Sequence, residues 1–396
     1  MKPVNKRLLT VISYLGYFII GIITVVLSPS LPFMIKDFNI SLGVAGAAFT
    51  ARAGGSFFGV FLGGILADKF GKKPLIIMGC LVQGLAMAAI ATTKSWSMVL
   101  LFFVINGVFG GFLGTSLNTL VADIYADRRG AAMNALHGVY GVGSLIGPVA
   151  VGLVLTWQFG WRLVFYGASA LWILYLLLIL TLGLSIPESE KKEDLSGKQK
   201  QIPVKSFLLH PIFIVLVLVS FIYNGSATSL VGWINTYMNK MQYSTFLGSG
   251  MVTIFYIGLT AGRFLCGFFS DRAGFSRTII ICSIGSLAFY PLAIYTTQPI
   301  LIAAGVFLSG LFLSGLHPTG LAYANKLFPS SSGTVTGILS ASLSLGAMIV
   351  PWLVGLIADN AGFQAGFGLG LALLFILVAV AARLIYQEKK SNTDIP

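Results

Sequence analysis

The sequence predicts an all-α membrane protein of twelve transmembrane helices, arranged as two pseudo-symmetric six-helix bundles. Three observations lead there: a composition too poor in charge for a soluble surface, twelve long apolar runs, and a repeat that relates the two halves. Of 396 residues, 56% are apolar and 9% are Asp, Glu, Lys or Arg, where an ordinary soluble domain carries about 25% charged residues. Mean hydropathy is +0.90. A soluble enzyme, a disordered chain and a disulfide scaffold are excluded on these grounds. The net charge of +13 sits in short gaps between apolar runs. It therefore reads as a topology signal and not as a nucleic-acid footprint. Cys80, Cys266 and Cys282 lie inside apolar runs without metal-ligand spacing and read as small packing residues.

Taken in order, the first span follows Lys2, Lys6 and Arg7 and is uncharged from Leu8 to Ile35. A signal-peptide core is only about 7–15 residues, so this run is expected to be retained. Further runs follow at 43–67, 74–93, 97–121, 131–157, 162–185, 208–238, 246–269, 277–296, 299–324, 333–357 and 362–386. One crossing needs ~20 residues, and each run must be helical because lipid offers no partner to backbone N–H and C=O groups. Gly55, Gly59 and Gly63 form a smooth stripe on span 2 for close helix contact. Gly143, Gly147, Pro148 and Gly152 on span 5 suggest a bending or sliding surface against span 8. The one long polar stretch divides the chain into an N-terminal bundle at 1–186, a cytoplasmic linker at 187–205 and a C-terminal bundle at 206–396.

With the N-terminus in the cytoplasm, nineteen Lys and Arg residues fall on the cytoplasmic side and four outside. That asymmetry puts both termini inside. The halves repeat at a constant offset of 203 residues: Gly64, Asp68, Lys69 and Gly71 recur as Gly267, Asp271, Arg272 and Gly274, and Gly143, Pro148, Val151 and Gly152 as Gly346, Pro351, Val354 and Gly355. Six spans return the chain to the same side, so the repeat is parallel, an architecture that places a solute site near midplane.

The loop joining spans 2 and 3 carries Gly64, Asp68, Lys69, Gly71, Lys72 and Lys73, and the loop joining spans 8 and 9 carries Gly267, Asp271, Arg272, Gly274 and Arg277. This resembles the signature loop of the major facilitator superfamily, G-x-x-x-D-R/K-x-G-R/K-R/K. The first copy matches fully, and the second lacks one closing base. The resemblance implies the major facilitator fold and transport by alternating access. It suggests that Asp68 caps span 11 across the halves through the helix dipole. Lys69 or Lys72 is placed to pair with Asp123 at the end of span 4. Asp68, Lys69, Lys72, Asp123, Asp271 and Arg272 are thus the gating candidates. A purely topological role for the bases stays open.

Span 8 from Ile254 to Ser270, with Gly258, Gly262, Arg263 and Gly267, resembles the fucose–glucose/proton symporter family, as do Tyr223, Gly225, Gly232, Trp233 and Ile234 in span 7 and Gly315, His317 and Pro318 in span 10. That resemblance implies a sugar substrate. Leu113 and Ala227 stand near the places where the family carries acids. Span 5 also resembles, in part, the glycine–proline motif of drug/proton antiporters.

None of the twelve acids falls near the middle of a span. His317, past the middle of span 10, is therefore a candidate for proton handling or for lining the cavity. A structural histidine at the break before Pro318 is the plain alternative. Asn224 and Thr228 share one face of span 7 and can hydrogen-bond a sugar. Trp233 can cover an apolar sugar face, and Asn235, Tyr17, Asn106, Tyr140 and Tyr256 complete the neutral set. Interhelical bonding, worth about 0.6 kcal/mol each, is the competing role for the polar members. Arg52 and Arg263 are charges within spans that normally face a cavity or a partner. Snorkelling remains open for both, and together they would favour an anion.

The sequence thus predicts a secondary active or facilitative transporter of a small, sugar-like polar solute in the cell membrane, not an enzyme. Proton-coupled multidrug efflux and organic-anion transport through Arg52 and Arg263 are the alternatives. No cofactor, metal or nucleic-acid partner is expected. The expected partners are the solute, the bilayer and a coupling proton or sodium ion, and the protein is expected to be a monomer. Asp68→Asn should fold and insert normally but slow uptake roughly fivefold to thirtyfold, the equivalent of about 1–2 kcal/mol of charge–dipole energy. Uptake kinetics in proteoliposomes check this, and unchanged kinetics would remove the latch.

Overall fold

In the computed structural model, residues 6–182 and 209–393 are described, and the expected linker at 187–205 lies outside them. Every described element is helical, as a backbone without water requires. The helices are α1 (Lys6–Thr24), α2 (Leu27–Phe38), α3 (Leu42–Phe70), α4 (Lys72–Thr92), α5 (Trp96–Ile124), α6 (Arg129–Thr156), α7 (Trp161–Thr181), α8 (Pro211–Lys240), α9 (Thr245–Ala273), α10 (Phe275–Tyr295), α11 (Pro299–Leu313), α12 (Leu316–Leu327) and α13 (Ser332–Thr393).

Among the described residues, eleven helical stretches are long and apolar enough to cross a membrane. The last, Gly333–Leu384, has 52 residues, or about 78 Å at 1.5 Å per residue, over twice a hydrocarbon core of ~30 Å. It is interrupted at Gly362, where φ is 82° and ψ 166°. Divided there, the eleven stretches correspond to the twelve runs of the sequence.

Two crossings are built from helix pairs. Span 1 breaks at Val25–Val26 between α1 and α2, and span 10 at Ser314–Gly315 between α11 and α12. Pro29 and Pro318 explain the positions. Each lacks the N–H that would bond the carbonyl four residues back, at Val25 and Ser314. Pro148, Pro291 and Pro351 sit inside continuous helices, so proline alone does not suffice. At span 10, Gly315 keeps helical dihedrals, and a Cβ there would lie 2.4 Å from Cys266 Sγ.

The 203-residue repeat reappears in the backbone. Gly71 and Gly274 end the two signature loops with nearly identical dihedrals, φ 83°, ψ 163° and φ 85°, ψ 158°. Asn39 and Gln242, at the ends of spans 1 and 7, both have positive φ. The next residue in each case, Ile40 and Tyr243, bonds back five residues to Ile35 and Met238, closing the helix in the same way. Helix crossings repeat too. A Cβ at Gly55 would lie 2.2 Å from Val104 O, and one at Gly258 2.1 Å from Phe307 O. One at Gly143 would lie 2.2 Å from Phe18 O, and one at Gly346 2.2 Å from Phe221 O. The span 2 glycine stripe thus seats α3 on α5, as close packing by small residues requires. The span 5 stripe differs from expectation: Gly143 and Gly147 pack on α1, and of that set Gly152 meets span 8, at Ser249.

The chain forms two compact units, Met1–Ser41 with Ala47–Glu193 and Asn235–Thr253, and Leu42–Gly46 with Asp194–Ile234 and Ile254–Pro396. Each takes a short segment from the other half of the sequence. The first unit holds Asn235 by Ser249, 3.0 Å from Asn235 Nδ2 to Ser249 Oγ, and the Thr253 hydroxyl donates to Leu145 O at 3.0 Å. In the second unit the Asp359 carboxylate accepts from the N–H groups of Leu42 and Gly43 at 2.7 Å each, capping the start of α3.

The dihedrals of Gly71 belong to a region that is essentially glycine-only and costs other residues of order 1–3 kcal/mol. Gly71→Ala should therefore lower the thermal midpoint of the purified protein. Gly167→Ala, where a Cβ meets open space, should not. Equal midpoints for the two variants would contradict the strain.

Candidate functional site

In the first unit, Tyr17 is buried on α1, donates its hydroxyl to Gly114 O at 3.1 Å and meets the His137 ring edge-on at 5.5 Å. Tyr140 is half-buried one turn further along α6. Arg52 on α3 donates from Nη1 to Thr24 O at 2.8 Å, the carbonyl just before the break in span 1. Asn106 on α5 is 2% exposed and donates to Gln83 Oε1 at 3.0 Å. Arg52, Asn106 and Gln83 line one cavity of about 130 Å³, together with Trp172. Asn235 is fully buried and is engaged with Ser249.

In the second unit, the break in span 10 presents His317 to α8, the helix of span 7. Its Nδ1 lies 3.2 Å from Ser220 Oγ, and its ring stacks on Tyr223 at 6.3 Å and 6°. Beside this pair, Asn224 donates to Leu343 O at 2.8 Å. The Thr228 hydroxyl turns back onto Asn224 O, as threonine hydroxyls do within helices. Asn224, Thr228, Tyr256 and His317 are half-buried. Trp233 is 0% exposed, and its indole donates to Pro351 O at 2.8 Å. In this conformation it packs and offers no face to a solute. Arg263 is exposed on α9.

Of the gating candidates, Lys72 forms the ion pair with Asp123. Lys69 is exposed and lies over the Phe70 ring at 5.2 Å. Asp68 is exposed at the end of α3. Arg272 stacks its guanidinium over Phe268 at 4.2 Å. The side chain of Asp271 lies outside the described residues.

Sequence reasoning overlooked Gln83, Trp172, Ser220 and Asp359. Gln83 carried a signal, a carboxamide in the middle of an otherwise apolar span. Ser220 and Trp172 carried none, because serine and tryptophan are ordinary residues in membrane helices. Asp359 was legible as an acid at a span end, but its partner was not.

Lys72 is 6% exposed and Asp123 49%. Asp123→Asn leaves an ammonium buried without that carboxylate, at a cost of about 1–3 kcal/mol. Lys69→Gln should stay within about 0.5 kcal/mol. Thermal midpoints of the two variants check this, and equal shifts would mean that the pair is not structural.

A family model described as Major Facilitator Superfamily matches residues 13–252 and 245–395. The uncharacterized MFS-type transporter YfkL of Bacillus subtilis (strain 168) is 24% identical over 384 residues, 95% of this chain and 96% of its own. The glucose/mannose transporter GlcP of the same organism is 22% identical over 393 residues, 97% and 95% of the two chains. A crystal structure of the nucleoside transporter NupG superposes with a TM-score of 0.71 at 17% identity, covering 95% of this chain and 98% of the other. The fold and the full-length family match together place this chain in the major facilitator superfamily, as a multi-pass membrane transporter.

Proposed function

We propose that the protein carries a small, sugar-like polar solute across the cell membrane by alternating access, with both termini cytoplasmic. The observation that carries this reading is the cluster at the broken span 10: His317, Ser220, Tyr223 and Asn224 bring neutral donors, acceptors and a ring face together inside the second unit. Neutral amides and hydroxyls match sugar hydroxyls, and a ring face matches the C–H face of a sugar. Broken helices at a polar cluster are also where carriers of other folds place their solute. The likeness to a glucose/mannose transporter and the span 7, 8 and 10 resemblance to sugar symporters point the same way. Tyr17 and Tyr140 in the first unit are proposed as further solute contacts. A coupling proton would be handled by His317; sodium is the alternative coupling ion. Latching by Asp68 and the Lys72–Asp123 pair would set the rate of opening.

A thermal-shift screen of purified protein against monosaccharides, carboxylates and drug cations tests the reading. Monosaccharides should raise the midpoint, and Asn224→Ala should weaken their apparent affinity roughly tenfold while expression stays normal. A midpoint raised by drug cations alone would replace this reading with efflux. Normal monosaccharide affinity in Asn224→Ala would return that residue to packing.

A further inference from the structure

The cavity inside the first unit has an uneven chemistry. It is walled by α1, α3, α4, α5 and α7, and its polar lining includes Thr24, Arg52, Gln83, Asn106 and Trp172. Among the described residues, no Asp or Glu lines it. Gln83 Nε2 and Trp172 Nε1 are buried donors without a hydrogen-bond partner, on side chains 4% and 0% exposed. Asn106 already occupies the Gln83 carbonyl oxygen, which leaves the Gln83 NH2 group buried without an acceptor on a residue that lines the cavity. If the two amides exchanged roles, Asn106 would supply the donor instead. An indole N–H and a guanidinium can only donate. The cavity thus gathers donors around a positive charge in a setting of low dielectric, where such groups are costly unless an acceptor meets them.

The Thr24 carbonyl accepts from Arg52 at the point where span 1 breaks, and this fixes the guanidinium on the wall. Gly107 and Gly110 form part of the same wall. A Cβ at Gly107 would lie 2.2 Å from Arg52 O, so this glycine lets α5 approach the α3 backbone beside the cavity.

We propose that this cavity binds a small monovalent anion, a halide or a short carboxylate, with Arg52, Gln83 and Trp172 as its donors. Such an ion would tie together α3, α4 and α7 of the first unit. The cavity belongs to the first unit and the His317 cluster to the second, and the proposal does not depend on which solute is carried. By linkage, anything that binds the folded state and not the unfolded one raises stability in proportion to its occupancy.

The test uses full-length protein in nanodiscs, in sodium gluconate at fixed pH and ionic strength, with gluconate replaced stepwise by chloride or by formate. The thermal midpoint should rise saturably with at least one of them. Chloride alone identifies a halide site and formate alone a carboxylate site. Gln83→Leu and Trp172→Phe should each weaken the apparent affinity roughly tenfold, and the double variant should lose the shift. Midpoints that are identical in gluconate, chloride and formate would overturn the proposal, as would a wild-type shift in the double variant. Crystals grown in bromide give a reading free of any variant: an anomalous peak in the cavity supports the site, and its absence there overturns a halide.

Discussion

The structure depends on one constraint: backbone N–H and C=O groups in hydrocarbon must find partners within the chain. It explains why every described element is helical and why chain reversals fall between apolar runs. It also explains why the hydrogen-bond ladder is interrupted at Val25–Val26 and Ser314–Gly315, where prolines withdraw a donor while the dihedrals of Val26, Ser314 and Gly315 stay helical. Because lipid gives helices no hydrophobic reason to associate, contact relies on close approach. Glycines at matching places in both halves, Gly55 with Gly258 and Gly143 with Gly346, let one helix's carbonyl come where a Cβ would stand.

Much of the fold was legible for the same reason. Hydropathy marks spans directly, and the offset that pairs Gly71 with Gly274 in the sequence pairs their dihedrals in space. What stayed hidden depended on direction within a helix. The glycines of span 5 were visible, but nothing local says that Gly143 and Gly147 face α1 and Gly152 faces Ser249. The choice between Lys69 and Lys72 as the partner of Asp123 likewise turned on the start of α4, which buries Lys72 and leaves Lys69 outside.

The candidate site was legible as a set of residue types and illegible as an arrangement. His317 was marked by the proline after it, yet its partner Ser220 is a residue with no signal of its own. Trp233 looked like a sugar platform and is instead enclosed, with its N–H on Pro351 O. Arg52 and Asn106 stood far apart in the chain and line one cavity, where Asn106 bonds to Gln83 and Arg52 to Thr24 O. Polar groups in a membrane helix are costly to place, and here most of them are engaged by a neighbour that the sequence alone does not name, as Asn106 is by Gln83 and Asn224 by Leu343 O.

The central claim is that this chain moves a neutral polar solute through a site that is open to one side at a time. Entrance counterflow measures this most directly: proteoliposomes loaded with excess unlabelled monosaccharide receive a trace of the labelled sugar outside. The account predicts a transient accumulation of label above equilibrium that saturates with concentration. Label that only equilibrates, at a rate linear in concentration, would contradict it.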